Sequence, residues 1–346
     1  MTCIFMSVAI YSYSQHNYLN YHKDILKAEQ LFFTRQFDSS LKKYEQAFNT
    51  YPKQFAKDCY VALQFAAMNK DTIRAKLFLK YAVENGATWD VLYKAKHVNN
   101  LLRDFKFKRF ADDIYASARK KYVSSINWFL RDYVNRLIEN DNTTKAIANK
   151  DFLSGKTFRD SNKVFHTYSD HPYNRTLDSN VLVLVALVKK YGYPGQHVVG
   201  LKDQELDKKT EKRDHNFESI ANLIFYHHYC AFHYLKRELL KAIEDGEILP
   251  NEYALMYEWG YNEYFQKQGQ LRGSNNYNHF NLICEYPVQD KFYNHFLSPW
   301  YYSKDTILVN KCRAEISMQS ITHEVIKRRC GQNNDIIFGN NMFNFP

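Results

Sequence analysis

A combination of small and aromatic residues that recurs after about 34 residues constrains the fold of this chain more than any other feature. The first copy, KAEQLFFTRQFDSSLKKYEQAFNTYP, places small side chains where two helices would cross and ends in a proline. Its pattern positions are Ala28, Leu31, Phe37, Ser40, Tyr44, Ala47 and Pro52. Those of the second copy, which ends at VENGA, are Ala62, Phe65, Ala75, Leu79 and Ala82. Small residues let helices approach closely while aromatic rings fill the groove, so the pattern predicts two successive helix pairs.

The two copies resemble a tetratricopeptide repeat pair over residues 20–88. The following WDVLYKAKHVNNLLRDFKFKRFADDI resembles the capping segment that closes such arrays. The resemblance implies a helical array with capping helices at 20–121, whose concave surface holds an extended or acidic partner. Composition also favours helices, because 11 Gly and 7 Pro in 346 residues are too few for the dense turns of an all-β chain. The sequence therefore predicts a mainly α protein that begins with a short tetratricopeptide-like array.

The first fourteen residues, MTCIFMSVAIYSYS, carry no charge and contain an apolar stretch of signal-peptide length. This stretch is too short to span a membrane. It predicts a signal peptide at 1–14, a mature end near Gln15, and export to a bacterial periplasm or beyond. Signal peptides normally carry Lys or Arg before the apolar stretch, and a buried N-terminal strand is the alternative interpretation.

Charge is concentrated in the predicted array. Residues 20–121 contain 20 Lys and Arg against 11 Asp and Glu, whereas residues 122–346 contain 27 against 26. The array therefore presents a basic surface, for which we expect an acidic protein segment, an anionic glycan or a lipid headgroup as the partner. Nucleic acid is not expected as a partner of an exported protein. A merely solvated, lysine-rich exterior is the alternative.

Residues 122–346 have the pattern of a helical domain that is interrupted by a polar, irregular segment at 140–175. The helix SSINWFLRDYVNRLIE is predicted to bury one apolar face, formed by Ile126, Phe129, Leu130, Val134 and Leu137. A second helix, TLDSNVLVLVALVKKYG, can be capped by Asp178 and ended by Gly192 in a left-handed conformation. Pro194 prevents its continuation. One small β-hairpin is expected near 270–287.

Short motifs in this region resemble, in order, those of the uncharacterised domain of unknown function 6624. They are LRDYVNR, LDSN, YGYPGQHVVG, FYHHYC, KAIEDGEILPNEYALMYEW and CRAEISM, and they cover roughly residues 122–320. The resemblance implies motif positions at Asp132, Arg136, Asp178, Asn180, Gly192, Tyr193, Pro194, His228 (or His227), Glu258 and Arg313. Tyrosine replaces the family's glutamine at Tyr133 and its tryptophan at Tyr193, and Glu258 with Trp259 stands where the family has Asp-Arg. If the family is enzymatic, these departures imply a weakened or inactive member.

These positions suggest one acid–base arrangement. His228 would transfer a proton, Asp132 or Asp178 would orient its ring, and Arg136 or Arg313 would hold an anionic substrate. The candidate binding residues are His227, Tyr193, Asn180 and Glu258, with Tyr193 facing the His227 and His228 helix. The competing interpretation is a buried network of hydrogen bonds and salt bridges that fixes how the helices pack.

No metal or cofactor is expected. His227, Cys230 and His233 recur at intervals of three, but residues i and i+6 lie about 9 Å apart along a helix, too far for one zinc ion. The sequence lacks a GxSxG motif, a phosphate-binding glycine loop and a dinucleotide fingerprint. The function that the sequence favours is noncatalytic binding in the bacterial envelope. The alternatives are a hydrolase-like enzyme with its site around His228 and a structural assembly subunit.

Overall fold

The computed structural model describes residues 17–153, 172–203, 205–206, 217, 219–222, 224, 231–257 and 306–338. Within these ranges the chain is mainly helical, and Leu201 and Ser219 form an isolated antiparallel bridge. The predicted signal peptide at 1–14 and the predicted hairpin at 270–287 lie outside them. Among the described helices, none is long and apolar enough to cross a membrane.

The first seven helices follow one another closely, and longer helices come after them. They are α1 Tyr18–Phe33, α2 Phe37–Thr50, α3 Ala56–Met68, α4 Thr72–Glu84, α5 Trp89–Lys94, α6 Lys96–Leu102 and α7 Phe105–Ser125. The later helices are α8 Trp128–Leu153, α9 Pro172–Tyr191, α10 Gln196–Val199, α11 Ala231–Glu244, α12 at 250–257, α13 Thr306–Glu315 and α14 Ile321–Asn334.

Helices α1 to α4 pack as two successive pairs, α1 on α2 and α3 on α4, and α2 contacts α3. The small pattern residues lie at the crossings, where Ala28, Ser40 and Ala47 are fully buried. The Ser40 hydroxyl donates a hydrogen bond to the Ala28 carbonyl across the first pair at 2.7 Å. Local caps fix two of the helix starts, because the side chains of Asn17 and Asp71 accept from backbone N–H groups of the first turns of α1 and α4.

The core of this first region is completed by residues from later in the chain. Its hydrophobic cluster runs from Tyr18 to Ala118 and also contains Leu201, Phe217, Leu249, Ile336 and Phe338. Helix α7 packs on α4 and continues to Ser125, across the predicted boundary between residues 121 and 122. A second cluster is built from α8, α9, α11, α12 and α13.

Three local expectations for residues 122–191 differ from the structure. Helix α8 extends to Leu153, so residues 140–153 are helical rather than irregular. Within this stretch the Thr143 hydroxyl donates to the carbonyl of Glu139, four residues earlier, so this polar side chain is compatible with the helix. Helix α9 begins at Pro172, a favourable first helical residue, so Asp178 lies inside the helix and does not cap it. Phe129 is 61% exposed and not part of a buried face. Helix α8 starts only at Trp128, so Ile126 lies on the preceding connection and does not share a helical face with Phe129.

The end of α9 agrees with its prediction. Gly192 follows the last helical residue with φ +81°, and its N–H donates to the Val188 carbonyl at 2.9 Å. Pro194 and Gly195 then lead into the single turn of α10. Gly195 lies so close to the Glu247 backbone that a Cβ there would approach the Glu247 carbonyl oxygen to 2.1 Å. The stretch therefore ends a helix and also docks against the turn that follows α11.

Candidate functional site

Helix α3 carries a polar side chain that binds the backbone of a distant segment. Gln64 is fully buried, its carboxamide nitrogen donates to the Ile337 carbonyl, and its carboxamide oxygen accepts from the Ile337 N–H. Both distances are 2.7 Å. This pairing reproduces the two hydrogen bonds that neighbouring residues exchange in an antiparallel sheet. Residues 336–338 are not helical. Gln64 thus holds the segment through its main chain, independently of the Ile337 side chain.

The residues on either side of Ile337 fill apolar positions. Phe338 is buried, and its ring lies 6.0 Å from the rings of both Phe33 and Phe65 in edge-on arrangements. The Lys327 ammonium lies 4.9 Å from the centre of the same ring. Ile336 is buried in the first hydrophobic cluster. Two side chains of the segment therefore act as apolar anchors.

Charged and polar groups hold the start of the segment. The Lys96 ammonium lies 2.6 Å from the Asp335 carboxylate, and the His97 Nε2 lies 2.6 Å from the Asn334 carbonyl oxygen. Hydrogen bonding and the charge of Lys96 lower the pKa of Asp335. We call residues 335–338 the DIIF segment, and we call Phe33, Gln64, Phe65, Lys96 and His97 the receiving face. The receiving face combines one cation, a backbone clamp and an aromatic pocket.

Beneath the DIIF segment, α1 and α14 are joined by a buried ion pair. The Glu29 carboxylate accepts from the Lys327 ammonium and lies 3.3 Å from His323 Nε2. Burial alone would raise the pKa of Glu29, but Lys327 and His323 outweigh it and lower the pKa to about 2. Glu29 is therefore ionised at neutral pH, and α14 is bound to α1 by charge.

A second buried carboxylate lies next to this pair. Asp58 accepts a hydrogen bond from the Tyr21 hydroxyl at 2.9 Å. Burial raises its pKa to about 6, although the charge of Lys57 acts in the opposite direction. The negative charge of Glu29 adds to the increase. Asp58 thus titrates in a pH range where Glu29 keeps its charge.

Tyr193, one of the candidate binding residues, is buried, and its hydroxyl begins a chain of hydrogen bonds. Its hydroxyl donates to the Asn222 side-chain oxygen at 2.5 Å, and the Asn222 amide donates to Glu252 at 3.0 Å. The Leu249 N–H donates to the other Glu252 oxygen at 2.7 Å. Burial raises the pKa of Glu252 to about 7 despite these hydrogen bonds. Tyr193 therefore points inward, and its hydroxyl also lies 4.0 Å from the Met256 sulfur. The His227 and His228 helix, which Tyr193 is predicted to face, lies outside the described residues.

Basic residues at 20–121 also bind acidic residues from later in the chain. Lys53 pairs with Glu247, and Arg119 pairs with Asp203 and, at 3.0 Å, with Glu205. Together with the Lys96–Asp335 pair, these contacts show that part of the basic surface at 20–121 holds acidic groups of the same chain.

Two cavities flank the contact between α1 and α14. One of about 400 Å³ is lined by residues that include Lys27, Thr34, Ser320 and His323. The other, of about 280 Å³, is lined by residues that include Phe33, Arg35, Arg329 and Asn334. Phe33 and Ile326 line both cavities.

The remaining predicted site residues occupy unlike environments. Asp132 and Arg136 are exposed on α8, and Arg136 Nε donates to the Asp132 carbonyl at 3.3 Å. Their neighbour Arg131 is the buried charged residue of the LRDYVNR motif, and its guanidinium donates to the carbonyls of Val199 and Leu201.

Arg313 and Asn180 are buried and connect helices. The Arg313 guanidinium is 2.7 Å from the Glu324 carboxylate and also donates to the Gln319 carbonyl at 3.1 Å, which ties α13 to α14. The Asn180 amide donates to the Leu137 carbonyl at 2.9 Å and ties α9 to α8. Asp178 is half-buried on α9. These contacts agree with the structural interpretation of Arg313 and Asn180.

His227, His228 and Glu258 lie outside the described residues, so the acid–base arrangement around His228 stays a prediction. Within the described ranges, no three His, Cys, Asp or Glu side chains are placed to hold a metal ion. Within the same ranges, Cys59, Cys312 and Cys330 are free thiols, and Cys59 and Cys312 are buried.

No protein-family model matches the chain, and no curated protein and no solved structure is significantly similar to it. The tetratricopeptide resemblance and the resemblance to the domain of unknown function 6624 therefore stay predictions.

Sequence reasoning missed Gln64 and Glu252. Gln64 is a polar residue inside the otherwise apolar ALQFAAM of α3, and a polar side chain there must find a buried partner. That signal could have marked the position. Its partner lies 273 residues away, and no local pattern identifies it.

Proposed function

We propose that this chain is an exported, noncatalytic binding module of the bacterial envelope whose tetratricopeptide-like array holds an acidic polypeptide segment. The observation that carries the proposal is the bidentate pairing of Gln64 with the Ile337 backbone. A carboxamide that replaces a neighbouring strand binds polypeptide main chain whatever the side chain at that residue.

Charge supports an acidic partner. The array holds acidic groups of its own chain at Lys53, Lys96 and Arg119. Further lysines at 20–121, among them Lys23, Lys27 and Lys70, are exposed. An excess of cations on one region attracts negatively charged segments and orients their approach.

The test is binding of a fluorescein-labelled peptide of about ten glutamates to the full chain, followed by anisotropy as salt rises from about 50 to about 300 mM. We expect the dissociation constant to increase by about tenfold or more, because exposed charges are screened. A glutamine peptide of the same length is the control ligand.

Paired charge reversals locate the site. Lys23→Glu with Lys27→Glu on α1 should weaken binding of the glutamate peptide. The control is Lys189→Glu with Lys190→Glu on α9. Both lysines are exposed and the change in net charge is the same, so most of the peptide binding should remain. Affinity that ignores salt, or equal losses in both double variants, would contradict the proposal.

A further inference from the structure

We propose that the receiving face recognises short partner segments and that the DIIF segment competes with them within the chain. In such a segment the first residue is acidic, the second is aliphatic, the third is unrestricted and the fourth is aromatic. The inference rests on the proposed binding function and names the class of partner. It follows from the way each residue of the DIIF segment is held.

The four positions have four different chemistries. Asp335 is exposed and pairs with Lys96, which selects a carboxylate. Ile336 is buried among apolar side chains, which selects an aliphatic residue. Ile337 is held by its main chain and is only half-buried, so its side chain is not selected. Phe338 lies between Phe33 and Phe65 below the Lys327 ammonium, which selects an aromatic ring.

The receiving face requires an occupant. Gln64 has no exposed surface, and its amide would lose both hydrogen bonds to the Ile337 main chain if the DIIF segment left. Its nitrogen would keep a longer hydrogen bond of 3.3 Å to the Tyr60 carbonyl, but its oxygen would lose the Ile337 N–H. A buried acceptor that loses its donor carries a desolvation penalty, whereas another polypeptide backbone would restore both bonds. Exchange of one segment for another is therefore favoured over an empty face.

The flanking surface is suited to acidic partners. Arg35 and Arg329 line the cavity of about 280 Å³ that also contacts Asn334, immediately before the DIIF segment. A partner with further acidic residues at this end would meet two cations. The chain itself places only the neutral Gln332, Asn333 and Asn334 there.

The DIIF segment has the advantage of being tethered. A linked segment competes at an effective concentration in the millimolar range, so a free peptide binds only to the small fraction of open molecules. Weakening the tethered segment should therefore strengthen binding of a free one. Weakening the receiving face should have the opposite effect.

The experiment uses the full chain and a labelled, capped peptide of residues 333–339, NNDIIFG. We expect Phe338→Ala in the protein to lower the dissociation constant of the free peptide by about tenfold or more. Gln64→Ala, added to Phe338→Ala, should reverse this gain. Phe105→Ala, at a phenylalanine that is 79% exposed, and Gln46→Ala, at an exposed glutamine on α2, are the matched controls and should change nothing.

Asp335→Lys provides a second route if Phe338→Ala disturbs folding, because Asp335 is exposed and its reversal opposes Lys96. It should also increase affinity for the free peptide. The inference is overturned if neither substitution increases binding, or if a peptide with Ala in place of Phe338 binds equally well. Salt-sensitive binding of the glutamate peptide would then still support the array as a binding module, and its absence would reject both proposals.

Discussion

Two buried glutamates, Glu29 and Glu252, show how the partner of a carboxylate decides its protonation. They are 2% and 3% exposed, so burial is closely matched. Lys327 and His323 surround Glu29, and its pKa is lowered to about 2. Asn222 and the Leu249 N–H donate to Glu252, and burial raises its pKa to about 7 although these hydrogen bonds, the Ser219 backbone and the charge of Lys57 lower it. These groups do not offset desolvation of the Glu252 carboxylate, whereas the Lys327 ammonium in contact with Glu29 and the neighbouring His323 do so there.

The two sites consequently respond to pH in opposite directions. The folded-state pKa of Glu29 lies below its ordinary value of 4.5, so its contribution to stability is present above that pH and is lost as the pH falls toward 2. The folded-state pKa of Glu252 lies above 4.5, so its contribution is present below that pH and is lost as the pH rises through 7. Acid therefore weakens the α1–α14 junction, and a rise in pH from 4.5 to 7 weakens the region around Tyr193.

The largest expected effect comes from removing the cation beside Glu29. Lys327→Met leaves that carboxylate buried with only His323, and we expect the free energy of unfolding at neutral pH to fall by about 3–5 kcal/mol. Urea denaturation followed by circular dichroism measures it. Arg328→Met, at the next and exposed residue, should change little. Adding Glu29→Gln to Lys327→Met should recover much of the loss, and a failure to recover would show that Lys327 acts through packing rather than charge.

Removing the ring of Tyr193 tests the Glu252 side of the comparison. Tyr193→Ala should cost about 3 kcal/mol of unfolding free energy, because the ring is buried in the second hydrophobic cluster. Tyr193→Phe should cost about 1 kcal/mol, because the ring stays in place and the hydrogen bond of the hydroxyl to Asn222 is lost. Tyr191→Ala, at a tyrosine that is 46% exposed, is the matched control for both denaturation curves. If Tyr191→Ala and Tyr193→Ala lower the free energy of unfolding equally, Tyr193 does not belong to the buried hydrogen-bond chain.

The protonation of Glu252 can be tested directly with Glu252→Gln, which mimics the neutral acid. Wild-type protein binds an extra proton in the folded state between pH 4.5 and 7, so its stability falls as the pH rises through this interval. The variant lacks this loss. We expect its stability relative to wild type to increase by about 2 kcal/mol between pH 4.5 and 7, measured by urea denaturation at each pH. The effect of Glu29→Gln on stability should instead depend on pH mainly below pH 4.5. If stability in Glu252→Gln depends on pH as it does in wild type, a group other than Glu252 binds the proton.

The packing of α1 to α4 could be predicted because it depends on local volume. The resemblance to the tetratricopeptide pattern predicts inward positions for Ala28, Tyr44 and Ala47, and all three are fully buried. The interpretation of α8 was wrong at Phe129 because its window joined the end of α7 to the start of α8. Two helices separated by a short connection do not share one helical phase, so a single apolar face across both has no physical basis.

Polar sites are less accessible to the same reasoning. In LRDYVNR the sequence marked Asp132 and Arg136, but the rotation of α8 buries Arg131 and exposes the other two. A shift of one residue turns a side chain by about 100° on a helix, and only tertiary packing fixes that rotation. Gln64 and Glu252 likewise depend on Ile337 and Asn222, which the chain brings near only on folding.

The smallest expected effect concerns Gly192, whose conformation directs Tyr193 toward Asn222. Its φ is +81°, which costs a residue with a Cβ, but nothing lies within 4 Å of the place where that Cβ would be. Gly192→Val should therefore lower the free energy of unfolding by about 1 kcal/mol through backbone strain alone. Gly192→Asn, which tolerates the left-handed region, should lose less. Two results would show that Gly192 does more than set the direction of the backbone: an equal cost of Val and Asn, or a cost of Val as large as that of Tyr193→Ala. In either case the hydrogen bonds that join Tyr193, Asn222 and Glu252 would depend on the backbone at Gly192 rather than on the Tyr193 ring.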